Sequence, residues 1–159
     1  GVSLFMLEGG VFEMNNFSNL IINKGSRHKH EYPIFIDVDK KRPDDEYGLI
    51  RNTTFTNLLI RSGGKILING RPEQPIRDLA LTNIQFIIDQ EVDFTKASKP
   101  RGNKNFPKLP ESIDRSSVSA HVTFGYIDNL TMNSIKLLPD PSSSRKNFDL
   151  EEVKITKQD

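Results

Sequence analysis

No cysteine occurs among the 159 residues of this chain. Disulfides and thiolate metal sites are therefore excluded. An excess of either charge is also missing: 22 Lys and Arg stand against 21 Asp and Glu, a formal net charge of +1. That balance gives no electrostatic case for nucleic acid. No apolar run approaches the roughly 18 residues of a membrane-spanning helix. Sustained helical periodicity is lacking too, and nine prolines cut the chain into pieces too short for typical helices. There is no phosphate loop, because Ser62-Gly63-Gly64 leads into a strand pattern and not a helix. No nucleophile elbow frames any serine.

What the chain does hold is a repeated hexad. Phe17-Ser-Asn19-Leu20-Ile-Ile22 recurs as Phe55-Thr-Asn57-Leu58-Leu-Ile60 and as Leu81-Thr-Asn83-Ile84-Gln-Phe86. Looser copies begin at Met132 and Leu150. A motif of this kind implies coils stacked on one another. Asn tolerates the left-handed backbone region and bonds its own backbone, so Asn19, Asn57 and Asn83 are expected at turns, bonded to each other as a ladder. Runs of one form precede the hexads, at Ile50–Phe55, Ile76–Leu81 and Ile127–Met132. A more apolar set, Val2–Met6, Pro33–Val38 and Lys65–Asn69, supplies a further strand per coil. A β-sandwich also has many short strands, but it does not repeat an Asn-centred motif in register.

The pattern predicts an all-β fold, a right-handed parallel β-helix forming a single segment over residues 1–159. Loop excursions are expected at about 24–32, 39–48 and 91–117, where Pro, Gly and charged residues gather, with a loosely packed final coil over 140–159. The chain opens inside a strand pattern, which predicts that it is the C-terminal portion of a longer helix.

Gly9-Gly10-Val-Phe-Glu-Met-Asn-Asn-Phe-Ser-Asn-Leu, Tyr32-Pro-Ile-Phe-Ile-Asp-Val, Ile50-Arg-Asn-Thr-Thr-Phe-Thr-Asn-Leu and Pro75-Ile-Arg-Asp-Leu-Ala-Leu-Thr-Asn-Ile together resemble the late coils of glycoside hydrolase family 28, the polygalacturonases and their relatives. The resemblance covers residues 1 to 90 closely and 118 to 156 more loosely. It implies a pectin-lyase-like β-helix and inverting hydrolysis of a glycosidic bond by two carboxyl groups separated by a water-sized gap. The family's Asn-Thr-Asp strand, strand-borne Asp-Asp pair and Gly-His-Gly turn do not occur here; Asp44-Asp45 lies in a Pro-led loop. Where the family carries Arg-Ile-Lys, this chain has Ser3-Leu4-Phe5. The resemblance thus implies that this chain supplies scaffold and one end of a substrate groove. Catalytic acid and base are expected upstream, and a neutral sugar stays open as substrate.

With Ile34 and Ile36 facing a core, alternation sends Phe35, Asp37 and Asp39 to the groove side. Tyr32, His28, His30 and Arg42 are of the right types to join them at the rim. The expected partners are a polysaccharide and either the N-terminal coils of the same protein or another copy, docked on the exposed first coil. No cofactor or metal is expected; His28-x-His30 with Glu31 is of types that suit zinc, but two imidazoles two residues apart with no cysteine are a weak ligand set. Asn16-Phe-Ser18, Asn52-Thr-Thr54 and Asn129-Leu-Thr131 match the glycosylation triplet, but Asn and Thr are common in such coils. The lack of cysteine favours a bacterial source, and the family an extracellular or periplasmic location. A non-catalytic β-helix module, carbohydrate-binding or adhesive, fits the same residues.

Overall fold

The computed structural model describes residues 1–24, 32–89 and 118–158. Among them there are eight β-strands and no helix: β1 Val2–Met6, β2 Val11–Lys24, β3 Ile34–Val38, β4 Leu49–Ser62, β5 Ile66–Asn69, β6 Ile76–Ile87, β7 Ala120–Leu138 and β8 Lys146–Gln158. They form one sheet in the order β1-β3-β5-β7-β6-β4-β2, with β8 also on β7. Every pairing is parallel. Strand β7 belongs to two ladders at once. Its first part pairs β5 at Val122–Gly125, and its second part pairs β6 from Ile127 to Leu138.

The hexads lie in register. Leu20 pairs Leu58, Leu58 pairs Ile84, and Ile84 pairs Ile135. Between hexad positions two and four the pairing skips one residue on each strand, and that residue has positive φ: Asn19, Asn57, Asn83 and Ser134, at 49–64° like all ten such non-glycine residues described. A left-handed residue turns the strand without ending it, which is how one long strand serves two faces of a curled sheet. The predicted side-chain ladder is present. Asn57 Nδ2 donates to Asn19 Oδ1 at 3.1 Å, and Asn83 Nδ2 donates to Asn57 Oδ1 at 2.9 Å.

A second row of corners was not foreseen. Met14, Asn52, Asp78 and Asn129 also have positive φ. They sit five residues before the first row on each strand, so the runs preceding the hexads are not separate strands but parts of β4, β6 and β7. Asn129 Nδ2 donates to Asp78 Oδ1, and Thr156 Oγ1 donates to Asn129 Oδ1. The fifth hexad copy is displaced. Leu150 pairs Phe124 and Val153 pairs Ile127, so Glu152 matches the corner at Tyr126 and not the one at Ser134. An apolar residue after a left-handed polar corner occurs in both rows, after Asn19, Asn57 and Asn83 and again after Asp78 and Asn129, so that pattern alone does not say which bend. Two register shifts mark the β7–β8 pairing.

Columns of like side chains fill the inside of the curl. Ile34, Ile36, Val38, Ile50, Phe55, Ile60, Ile68, Ile76, Phe86, Phe124 and Ile127 are fully buried. Phe17 stacks on Phe55 with ring centroids 5.0 Å apart and planes 16° from parallel. Parallel strands bring identical positions about 4.8 Å apart, so an apolar residue repeated in register always finds an apolar neighbour. The outermost strand lacks that cover: Phe12, Met14 and Ile21 of β2 are exposed, whereas β4 alternates between buried and open positions.

The Asn ladder yields a graded expectation. Asn57→Ala removes two exposed amide bonds and places a Cβ-bearing residue without Asn's local compensation in the left-handed region. We expect a loss of about 1–2 kcal/mol, read as a lower urea midpoint. Asn57→Gly, which meets no steric penalty at positive φ, is expected to cost less than Asn57→Ala.

Candidate functional site

The face of β1, β3 and β5 opposite the apolar core carries the polar chemistry. Pairing runs Ser3–Phe35–Leu67–Thr123–Asp149 in one row and Phe5–Asp37–Asn69–Gly125–Glu151 in the next. The inner row between them is Leu4–Ile36–Ile68–Phe124–Leu150. Phe35 and Asp37 are half-buried on the outer face while Ile34, Ile36 and Val38 are inside, as alternation requires.

At the centre stands Arg71. Its side chain is only 4% exposed and reaches both predicted aspartates, Nη1 to Asp37 Oδ1 at 3.3 Å and Nη2 to Asp39 Oδ2 at 3.5 Å. Nη1 also donates to the Gly70 carbonyl at 3.2 Å. Asn69 Nδ2 donates to the same Asp37 oxygen at 3.1 Å. The backbone amide of Lys40 caps Asp39 Oδ1 at 2.9 Å. A tight turn aims the arginine: the backbones of Arg71 and Gln74 bond each other both ways, at 3.2 and 3.1 Å, and Gly70 N donates to Gly125 O. Glycine is required at 70, since a Cβ there would lie 2.5 Å from the Tyr126 carbonyl oxygen and 2.9 Å from Ile76 N.

Burial pushes the Asp37 carboxyl up to about 6, against the opposing pull of Arg71 and Asn69, with Asp39 adding a smaller push in the same direction as burial. The folded state therefore holds this proton more tightly than the unfolded chain, whose aspartates titrate near ~4. Asp37's contribution to stability is fully present below about pH 4 and is lost as pH rises through about 6.

Aromatic rings border the aspartates. Phe5 lies 5.9 Å from Phe35, and Tyr32 lies 5.2 Å from Phe35, both tilted. Phe5 is 47% exposed. The structure thus brings together Tyr32, Phe35, Asp37 and Asp39. Arg42 is not part of that cluster. It is exposed and sits in a turn where its amide donates to Asp45 Oδ2 at 2.8 Å. With Lys41, which bonds Glu8 directly, Arg42 holds the Glu8 carboxyl below its usual range. Lys40 lies over the Tyr47 ring, 4.3 Å from its centroid. His28 and His30, and the 91–117 excursion, lie outside the described residues.

Sequence reasoning missed Arg71, Asn69 and the second half of the face. Lys65 is buried and its Nζ donates to Val118 O at 2.7 Å; His121 is buried with Nε2 3.1 Å from Ser143 Oγ; Tyr126 Oη donates to Glu151 at 3.5 Å. Asn69 was already within a recognised strand, two residues from Leu67, so pairing Lys65–Asn69 against Pro33–Val38 in register could have placed it beside Asp37. Among the described residues no three His, Cys, Asp or Glu side chains are grouped to hold a metal ion.

Fold and site together define an all-β protein of parallel strands whose outer face carries an aromatic strip beside a buried carboxylate–guanidinium cluster. Comparison of the chain with protein-family models, with curated proteins and with solved structures gives no match.

Proposed function

We propose that this chain is the C-terminal portion of a right-handed parallel β-helix that acts on polysaccharide, related to glycoside hydrolase family 28. It supplies scaffold and one end of a substrate groove, with the catalytic acid and base on coils upstream. The observation that carries this reading is the outward strip of Phe5, Phe35 and Tyr32 alongside Asp37 and Asp39. Aromatic faces with a few fixed polar groups are what a carbohydrate groove requires. The in-register Asn corners support the coil architecture. In this reading the groove's glycan is extracellular or periplasmic.

The exposed apolar side chains of β2 fit docking of further coils, from the same protein or another copy, on the first coil. A non-catalytic carbohydrate-binding or adhesin module is favoured by one observation: Arg71 ties both aspartates together, which suits holding a ligand better than in-line attack by water. The test is hydrolysis of pectic and related glycans by the chain alone and by a form extended with upstream coils. Activity only in the extended form supports the enzyme reading. Glycan binding without hydrolysis in either form supports the module, and turnover by the chain alone contradicts the upstream placement of the catalytic pair.

A further inference from the structure

We propose that the row Phe5–Asp37–Asn69, flanked by Phe35 and Tyr32, takes an uncharged sugar, held through the sugar's hydroxyl donors, and rejects a uronate. This inference rests on the carbohydrate reading above. The row is rich in acceptors. Asp37 and Asp39 offer carboxylate oxygens at side chains 18% and 25% exposed. Next inward, Asn69 is 2% exposed, and its Oδ1 has no hydrogen-bond partner. One N–H of Nδ2 is committed to Asp37, which fixes which way the amide faces, and the carbonyl oxygen is the atom left without a partner.

An unpartnered buried acceptor has given up its water without replacement, which costs the fold stability. A ligand hydroxyl donating to it relieves that cost, and a carboxylate, which only accepts, does not. Among the described residues, the cations beside this row are engaged elsewhere. Arg71 serves Asp37, Asp39 and the Gly70 carbonyl. Lys40 lies on Tyr47, while Lys41 and Arg42 face Glu8. A uronate entering past Phe5 would instead meet two carboxylates. The exposed Phe5 ring and the half-buried Phe35 ring beside it give an uncharged sugar's apolar face something to lie on.

The test is calorimetric titration of the whole chain at pH 7 with galactotetraose, xylotetraose, mannotetraose, cellotetraose and tetragalacturonate, repeated with Phe5→Ala and Phe35→Ala. At least one neutral tetraose should bind, roughly three- to tenfold more weakly to either variant, and tetragalacturonate should give no heat of binding. Binding of tetragalacturonate would overturn the inference and leave the carbohydrate reading standing. A neutral tetraose bound equally well by both variants would overturn this placement of the site. Absence of binding by all five would overturn the inference and the reading beneath it.

Discussion

Replacing Arg71 with methionine should destabilise the fold by about 3 kcal/mol at pH 7.5, and by clearly less at pH 4.5. The guanidinium is almost wholly buried and is the cation that faces both Asp37 and Asp39. Methionine fills much of the volume but leaves two carboxylates close together with no compensating charge. At low pH that penalty shrinks, because Asp37, already pushed up to about 6, is protonated and no longer repels Asp39. Asp37→Asn is the control. It keeps an oxygen that can accept from Arg71 and removes the titration. Relative to Asp37→Asn, the native chain should lose stability on the order of 2–3 kcal/mol between pH 4 and pH 6.5. Urea midpoints for the three proteins at pH 4.5 and 7.5 check both statements. Equal losses for Arg71→Met at the two pH values would mean that the arginine acts by packing alone.

Phe55→Ala should cost about 3–5 kcal/mol, the largest effect of a single truncation in the hexad columns. Phe55 is fully buried, with Phe17 stacked on it from β2 and Leu81 paired beside it on β6. Parallel strands hold the columns at fixed spacing, so neighbours cannot close the cavity without shifting a whole strand. Phe17→Ala, on the outermost strand and only partly buried, should cost about half as much or less. The double variant should fall short of the sum, because removing Phe55 already leaves Phe17 without its stacking partner. Thermal or urea unfolding of the four proteins gives the cycle.

The register of the parallel strands was legible because it depends on residue types that few other positions demand. Asn at 19, 57 and 83 answers a backbone conformation, and apolar residues at fixed offsets answer a shared core, so local and long-range requirements coincide. The strands at Val2–Met6, Pro33–Val38 and Lys65–Asn69 were legible for the same reason. The second row of corners was not, because Met14 and Asp78 carry less of that signal than Asn or Gly. The fifth hexad was misplaced because Leu150-Glu-Glu152-Val153 satisfies the corner pattern at a different bend. At the site, Asp37, Asp39, Phe35 and Tyr32 follow from strand alternation. Arg71 comes from a turn beyond the end of β5 and is carried back to Asp37 by a glycine-dependent reversal, a geometry that periodicity does not encode.

The most direct test of the stacked architecture is a set of methyl–methyl nuclear Overhauser effects in selectively labelled protein. Leu58 should show cross-peaks both to Leu20 and to Ile84, its register partners on either side, with no direct Leu20–Ile84 peak. A Leu20–Ile84 contact that bypasses Leu58, or hexad methyls that touch across opposed sheets, would contradict it.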